Sequence, residues 1–394
     1  MQPVHVTNRE HIYKQLFRVK SALKEHFQGD VVAPFVGRIG YPHLNIGMLA
    51  PVVSEQESWL HDAPCEWAAR EIPSATIIDL RSELLNSRFK AHIKAKPRLL
   101  ELAREAAMSH KPTEMEIKLK SVPKMSISLH QFSAPTGPKG DLLHAALTSN
   151  PTVSSKVERV VDGNDWKAAD AITYLYGNGF DETFLTRLLS VGTVGLKTER
   201  KLVPTRWSIT ATDDIIGKQI IDEIADHDEC GYTVRFGGHL GNYFLVLTFP
   251  GPWSYELFEL MVGRGQLEYS TDHEFHQGRK RYADETAGGY YASRLAVLEM
   301  LKEQRERGRV LCLRFITPEY DTPLGVWVVR EAARKATRAA PIAMDSLQHC
   351  IVYAKTTAQQ FDVDLDPLLS QSKLLTYLKT QRTLSAFAFR GQQI

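Results

Sequence analysis

Two short stretches hold most of the side chains able to do chemistry. In KLVPTRWSITATDDIIGKQ, residues 201–219, Arg206, Ser208 and Thr210 alternate with Trp207 and Ile209. That period of two puts the polar groups on one face of a strand and the apolar pair on the other. Thr212 then stands where a helix N-cap belongs, with Asp213 and Asp214 in the first turn and Ile215, Ile216 and Ile220 behind them. Lys201, Arg206, Ser208 and Thr210 would face a phosphate at a helix N-terminus, while Asp213 and Asp214 would carry a metal or act as a base. The same pattern also suits an ordinary half-buried strand followed by a well-capped helix.

The second stretch runs from Asp272 to Tyr282 and packs Asp272, Glu274, His276, Arg279 and Lys280 together, just before Gly288 and Gly289. Two carboxylates beside histidines could bind a divalent ion such as Mg or Mn, or serve as general acid and base. The spacing matches no helix-borne zinc motif, and Arg279 with Lys280 beside a glycine-rich helix start suits a phosphate better. Tyr290 and Arg294 could stack on a base, although tyrosines at helical spacing also fill cores. A charged hairpin tip is the alternative for the whole cluster. A third segment, PFVGRIGYPHLNIGMLAP, is too rich in Gly and Pro for a long helix, and its Arg38 and Tyr41 would approach a ligand from an ordered loop.

The elements that must position these groups alternate in type. Segments around Thr76–Leu80, Ser154–Asp162 and Arg309–Ile316 read as strands, as do the two halves around GGHLGN, which form a hairpin. A basic amphipathic helix is expected from Ile12 to Leu23, a short helix in WSYELFELMVG, and longer helices after Gly289 and after Pro323, the last with a basic face over Arg330 to Arg338. The implied fold is α+β, with mixed and antiparallel sheets flanked by helices in two closely packed halves. The boundaries expected are 1–200, 201–379 and a flexible tail, 380–394, with Arg206 and Arg279 facing one cleft.

At 394 residues the chain exceeds one ordinary core. Its net charge of +2 excludes a global electrostatic argument for nucleic acid, so any such contact is local. Cys65, Cys230, Cys312 and Cys350 are scattered singly, so no structural zinc is expected. Neither a signal peptide nor a membrane-spanning run is visible, which points to the cytoplasm and to no membrane partner. The last residues hold Gln381, Leu384 and Phe387, with Phe389 beyond, in a Q-x-x-L-x-x-F pattern that resembles the peptide by which replication and repair proteins dock on the sliding clamp. Ala388 separates the two aromatics that such peptides usually place side by side.

Four long motifs are distinctive: RKLVPTRWSITATDDIIGK, FVGRIGYPHLNIGMLAP, GRKRYADETAGGYYASRLAVLE and PLGVWVVRE. With the terminal peptide they resemble the archaeal Nre family of DNA-repair proteins, over nearly the whole chain from Phe35 to Phe389. The resemblance implies repair of DNA damage in partnership with the sliding clamp and with DNA or repair enzymes. It also implies AMP binding and removal of AMP from proteins, a hydrolase reaction on a phosphodiester or phosphoramidate. Some members carry an N-terminal cysteine zinc motif; this chain lacks it and resembles the zinc-free branch.

Overall fold

The structure is a computed structural model that describes residues 18–53, 57–127, 134–263 and 267–380. The chain divides into two compact units. The first comprises residues 1–220, 291–296 and 319–331, and the second 221–290, 297–318 and 332–394.

In the first unit, six strands form a mixed sheet in the order β1-β5-β6-β4-β3-β2. They are β1 (His26–Val31), β2 (Ala33–Val36), β3 (His43–Pro51), β4 (Leu84–His92), β5 (Thr113–Leu119) and β6 (Lys139–Leu147). Only β4 and β6 pair in parallel. Strand β5 shows why these segments extend. Met115, Ile117 and Leu119 are buried between Glu114, Glu116 and Lys118, so one face of the pleat is apolar. That face joins Leu44, Ile46 and Met48 of β3 against the helix Arg98–Met108, which buries Leu100, Ala103 and Ala107 at helical spacing.

In the second unit the sheet order is β11-β10-β13-β9-β8-β14. Strands β8 (Thr233–His239) and β9 (Asn242–Phe249) meet in a two-residue hairpin, since His239 pairs with Asn242. Leu240 and Gly241 both take positive φ there, 47° and 71°, the geometry of a primed turn. β10 (Ser254–Met261) runs parallel to β13 (Arg309–Ile316), and β11 (Glu268–Glu274) pairs antiparallel with β10. Strands β9, β10 and β13 are buried almost throughout, as sheets covered on both faces require. The short β14 (Ile342–Ala343) closes one edge, and β7 (Asp228–Glu229) with β12 (Glu306–Arg307) forms a separate two-residue ladder. The α+β expectation therefore holds.

Several local expectations do not. Thr76–Leu80 lies in the helix Ser74–Ser82, which starts behind Pro73 and buries Ile77, Ile78, Leu80 and Arg81. SSKVERVVD is the helix Ser155–Asp162, capped by Ser154, whose hydroxyl accepts from the Lys156 amide. WSYELFELMVG is strand β10 rather than a helix. Residues 205–224, expected to begin as a strand, are one 20-residue helix from Thr205 to Ile224. The amides of Trp207 and Ser208 bond to the Pro204 carbonyl at its first turn, so Thr212 lies inside the helix and not at a cap. Of the expected helix from Ile12 to Leu23, residues 18–22 are helical and the part before residue 18 lies outside the described residues. Gln381, Leu384, Phe387 and Phe389 also lie outside them.

Candidate functional site

The helix Thr205–Ile224 buries an unusual face within the first unit: Ser208, Thr212 and Asp213 are fully buried. Asp213 is held by Arg330, whose Nη2 donates to both carboxylate oxygens at 2.8 and 2.7 Å. Nη1 of the same guanidinium lies 3.3 Å from Glu182, which is itself buried. One turn on, Arg294 donates to Asp214 at 2.7 Å from a fully buried position, and Lys218 pairs with the other Asp214 oxygen at 2.7 Å. Gly217 permits that approach, since a Cβ there would sit 2.9 Å from the Arg294 Nη2. Buried charges need such partners to offset desolvation. Both aspartates are thus fixed by arginines that the sequence places more than seventy residues away.

Beside this network lies a small cleft with about 100 Å³ of internal space. Pro34, Phe35, Ile209 and Trp327 form apolar walls, and Arg81, Arg187, Arg330, Asp62 and Glu182 bring charge. Three cations against two anions leave one net positive charge on the lining. Arg81 is buried; its Nε donates to the Pro135 carbonyl at 2.8 Å and it pairs with Asp62. Burial pulls its pKa below the ordinary arginine value, and Asp62 opposes that shift. Arg330 is saturated by Asp213 and Glu182. Arg187 differs. Its Nη1 donates to the Val32 carbonyl at 2.7 Å and its plane lies over the Phe184 ring. Its Nε is buried and unbonded, and among the described residues it has no carboxylate partner. It stands on the helix Glu182–Ser190, capped by Asp181, whose first turns also bring Thr183 and Thr186 to the cleft.

Other expected residues are placed as follows. Arg38, Tyr41 and Lys201 are exposed, Arg206 and Thr210 half-buried, and Ser208 is buried with its hydroxyl 3.4 Å from the Val203 carbonyl. In the second unit Asp272 accepts from the Glu285 and Thr286 amides and the Thr286 hydroxyl, and so caps the helix Ala287–Gln304. Arg279 pairs with Asp272 at 2.9 Å, donates to the carbonyls of His273 and Tyr282, and covers the buried Tyr290 ring. Glu274 accepts from the Trp253 indole at 2.8 Å, while His276 and Lys280 are exposed. The basic face expected from Arg330 to Arg338 is only partly a surface. Arg330 and Arg334 are buried, Arg334 on Glu299, and Lys335 and Arg338 remain outside.

The residues that sequence reading missed are Arg81, Glu182, Arg187 and Arg330. Each is a charge inside an apolar helical run, as in FLTRLLS and VWVVREAA, and that was the available signal. Among the described residues, one group could gather a metal: Cys65, Glu182 and Glu331 place a ligand atom each within 4.8 Å of one another. A thiolate with two carboxylates suits a divalent transition ion better than Mg. It is not the set of aspartates expected from the sequence. The other three thiols are buried and pushed up, Cys230 and Cys350 to about 11 and Cys312 to about 12. Brief alkylation of the native protein at neutral pH is therefore expected to label Cys65 first. Peptide mass spectrometry checks this, and prior labelling of Cys312 would contradict it.

Models of the archaeal Nre N-terminal and C-terminal regions match residues 6–265 and 274–387. The chain belongs to the archaeal Nre family. It is 33% identical over 346 residues to the protein named DNA repair protein NreA of Haloferax volcanii, covering 82% of each chain. To DNA repair protein NreB of Archaeoglobus fulgidus it is 32% identical over 360 residues, 90% of this chain and 89% of that one. The NreA of the same organism is 34% identical over 330 residues, with 81% and 82% covered. No solved structure matches the chain. No helix among the described residues is long and apolar enough to cross a membrane.

Proposed function

We propose that the chain works in DNA repair in the cytoplasm, as a protein that holds a nucleotide by its phosphate in the first unit and docks on the sliding clamp by its C-terminal peptide. The names of its relatives support the repair role. Arg187 is the observation that carries the binding role. It is a cation with a buried, unbonded Nε, beside Thr183, Thr186 and the start of a helix, in a cleft with an aromatic wall. Anions are drawn to such donors. The space is small beside the roughly 300–1,000 Å³ of drug-sized pockets, so it suits a phosphoryl group with the remainder of the ligand, such as the ribose and base of AMP, in the open mouth.

Docking on the clamp rests on Gln381, Leu384, Phe387 and Phe389, and the family match runs through the first three. Calorimetric titration of the full chain with purified clamp tests it. Phe387→Ala with Leu384→Ala should weaken binding at least thirtyfold, as truncation of apolar anchors does. Equal affinity in the variant overturns the docking reading. Loss of survival after DNA damage in a strain lacking the protein tests the repair role by itself.

A second reading, hydrolysis of a phosphodiester or phosphoramidate such as a protein-bound AMP, is favoured by Cys65, Glu182 and Glu331 beside the same cleft. A divalent ion held there would supply a Lewis acid for the phosphoryl oxygens. Water would add to phosphorus as the bond to the protein oxygen or nitrogen breaks, and the leaving atom would take up a proton. Release of AMP from an AMP-modified protein, dependent on Mn or Zn and lost in Glu331→Gln, is the expected result.

A further inference from the structure

The exposed chemistry of the first unit is concentrated at one end of its sheet. Between Asp30 and Glu55, and again between Glu83 and Glu101, there is no carboxylate, while these segments carry Arg38, Arg88, Lys90, Lys94, Lys96 and Arg98. The whole chain has a net charge of only +2, so this is a strong local excess. Arg88 pairs with Asp141 at 3.3 Å, whereas Lys90, Lys94 and Lys96 are exposed. Glu199 is the exposed carboxylate nearest in sequence to Lys201 in the adjoining loop.

Backbone pairing makes this one surface. Asn45 lies opposite Lys90, and His43 opposite His92 with their rings 5.1 Å apart. The Ile93 amide donates to the Pro42 carbonyl at 3.0 Å, and the Ile93 carbonyl accepts from the Leu202 amide at 2.9 Å. The lysines therefore adjoin the β2–β3 loop and the start of the helix Thr205–Ile224. Two aromatic rings stand out there. Tyr41 and Trp207 are 50% and 49% exposed with centroids 6.0 Å apart, and Ile39 beside them is 82% exposed. Large apolar groups held in water next to uncompensated lysines call for an occupant that is both flat and anionic.

We propose that this surface binds single-stranded DNA, with Arg38, Lys90, Lys94 and Lys96 on successive phosphates and a base against Tyr41 and Trp207. Alternate residues of an extended chain lie about 6.7 Å apart, close to the reach between phosphates of an extended strand. A duplex keeps its bases stacked inside, while an unpaired strand offers their faces to aromatic rings. None of these residues lines the cleft, so the surface is separate from the nucleotide-binding proposal. The choice of DNA over RNA rests on the repair reading.

The test is fluorescence anisotropy of the full chain with a labelled oligothymidylate, its duplex and the corresponding oligouridylate, at several salt concentrations. The single DNA strand should bind tightest. Lys90→Gln, Lys94→Gln and Lys96→Gln together should lower the slope of log affinity against log salt by about 2, since each phosphate contact on a single strand contributes roughly 0.7. Tyr41→Ala with Trp207→Ala should weaken binding roughly tenfold or more at every salt concentration. All five positions are exposed, and an unchanged thermal midpoint verifies folding. Absence of binding, a preference for duplex or RNA, or unchanged affinity in either variant overturns the proposal. These results concern the purified chain, so they are independent of survival after damage: a sensitive deletion strain whose protein fails to bind sinks this surface and leaves the repair role standing.

Discussion

Asp213→Asn should destabilise the first unit by about 3–5 kcal/mol, the usual cost of breaking a buried ion pair from one side. The carboxylate and the Arg330 guanidinium are both nearly fully buried, and Arg330 would keep only the longer contact to Glu182. An amide retains the shape but offers one acceptor and no charge, so the positive charge stays desolvated without its main partner. For a unit of this size the thermal midpoint falls by roughly 2–4 °C per kcal/mol, giving a drop of about 6–20 °C. Asp214→Asn should cost less, because that carboxylate is a quarter exposed. Calorimetry of both variants checks the order. A change in midpoint of less than 2 °C for Asp213→Asn would mean that the network contributes little to the fold.

Arg187→Ala should weaken phosphate or nucleotide binding by about 10- to 150-fold, the equivalent of one lost hydrogen bond to a charged group at roughly 1.5–3 kcal/mol. Arg187→Lys should fail to restore it. A lysine can reach the same region, but it lacks the planar fork that bonds the Val32 carbonyl with one nitrogen while presenting another to an anion. The fold should survive either change, since the partner lost is a single neutral carbonyl and Arg187 is half-buried. Equilibrium binding of a radiolabelled nucleotide reads the effect. Lysine at full affinity would place the phosphate elsewhere.

What could be read from the residues differs sharply between the two units. Strand β13 and the hairpin of β8 and β9 were legible because RVLCLRF and the flanks of GGHLGN are apolar runs bounded by turn residues. The helix Ala287–Gln304 was legible because its leucines keep helical spacing. The helix Thr205–Ile224 was not. Its buried face carries Ser208, Thr212 and Asp213, so the apolar stripe that announces a helix is missing, and the alternation of Trp207 and Ile209 imitates a strand. The reason lies far along the chain, in Arg294 and Arg330, whose charges make a polar face buriable. The strand β10 failed in the opposite way: with both faces covered it has no alternation to detect.

The candidate site was legible in kind more than in place. Arginines, hydroxyls and a helix start were expected around Arg206, and such a set occurs on the helix Glu182–Ser190, with Thr205 and Ile209 of the expected stretch on the opposite wall. Arg279 illustrates the limit of proximity in sequence. Beside a glycine-rich helix start it has the look of a phosphate ligand, yet Asp272 and three backbone carbonyls take up its donors.

The most direct measurement is the thermal midpoint of the wild-type protein with AMP, ADP, ATP, NAD and inorganic phosphate, each with and without Mg or Mn. A nucleotide at a hundred times its dissociation constant should add about 2.7 kcal/mol of stability, a rise of roughly 5–11 °C. AMP or a related nucleotide should produce that rise in the wild type and not in Arg187→Ala. An unmoved midpoint across the panel, or an equal rise in the variant, would contradict the assignment of the cleft.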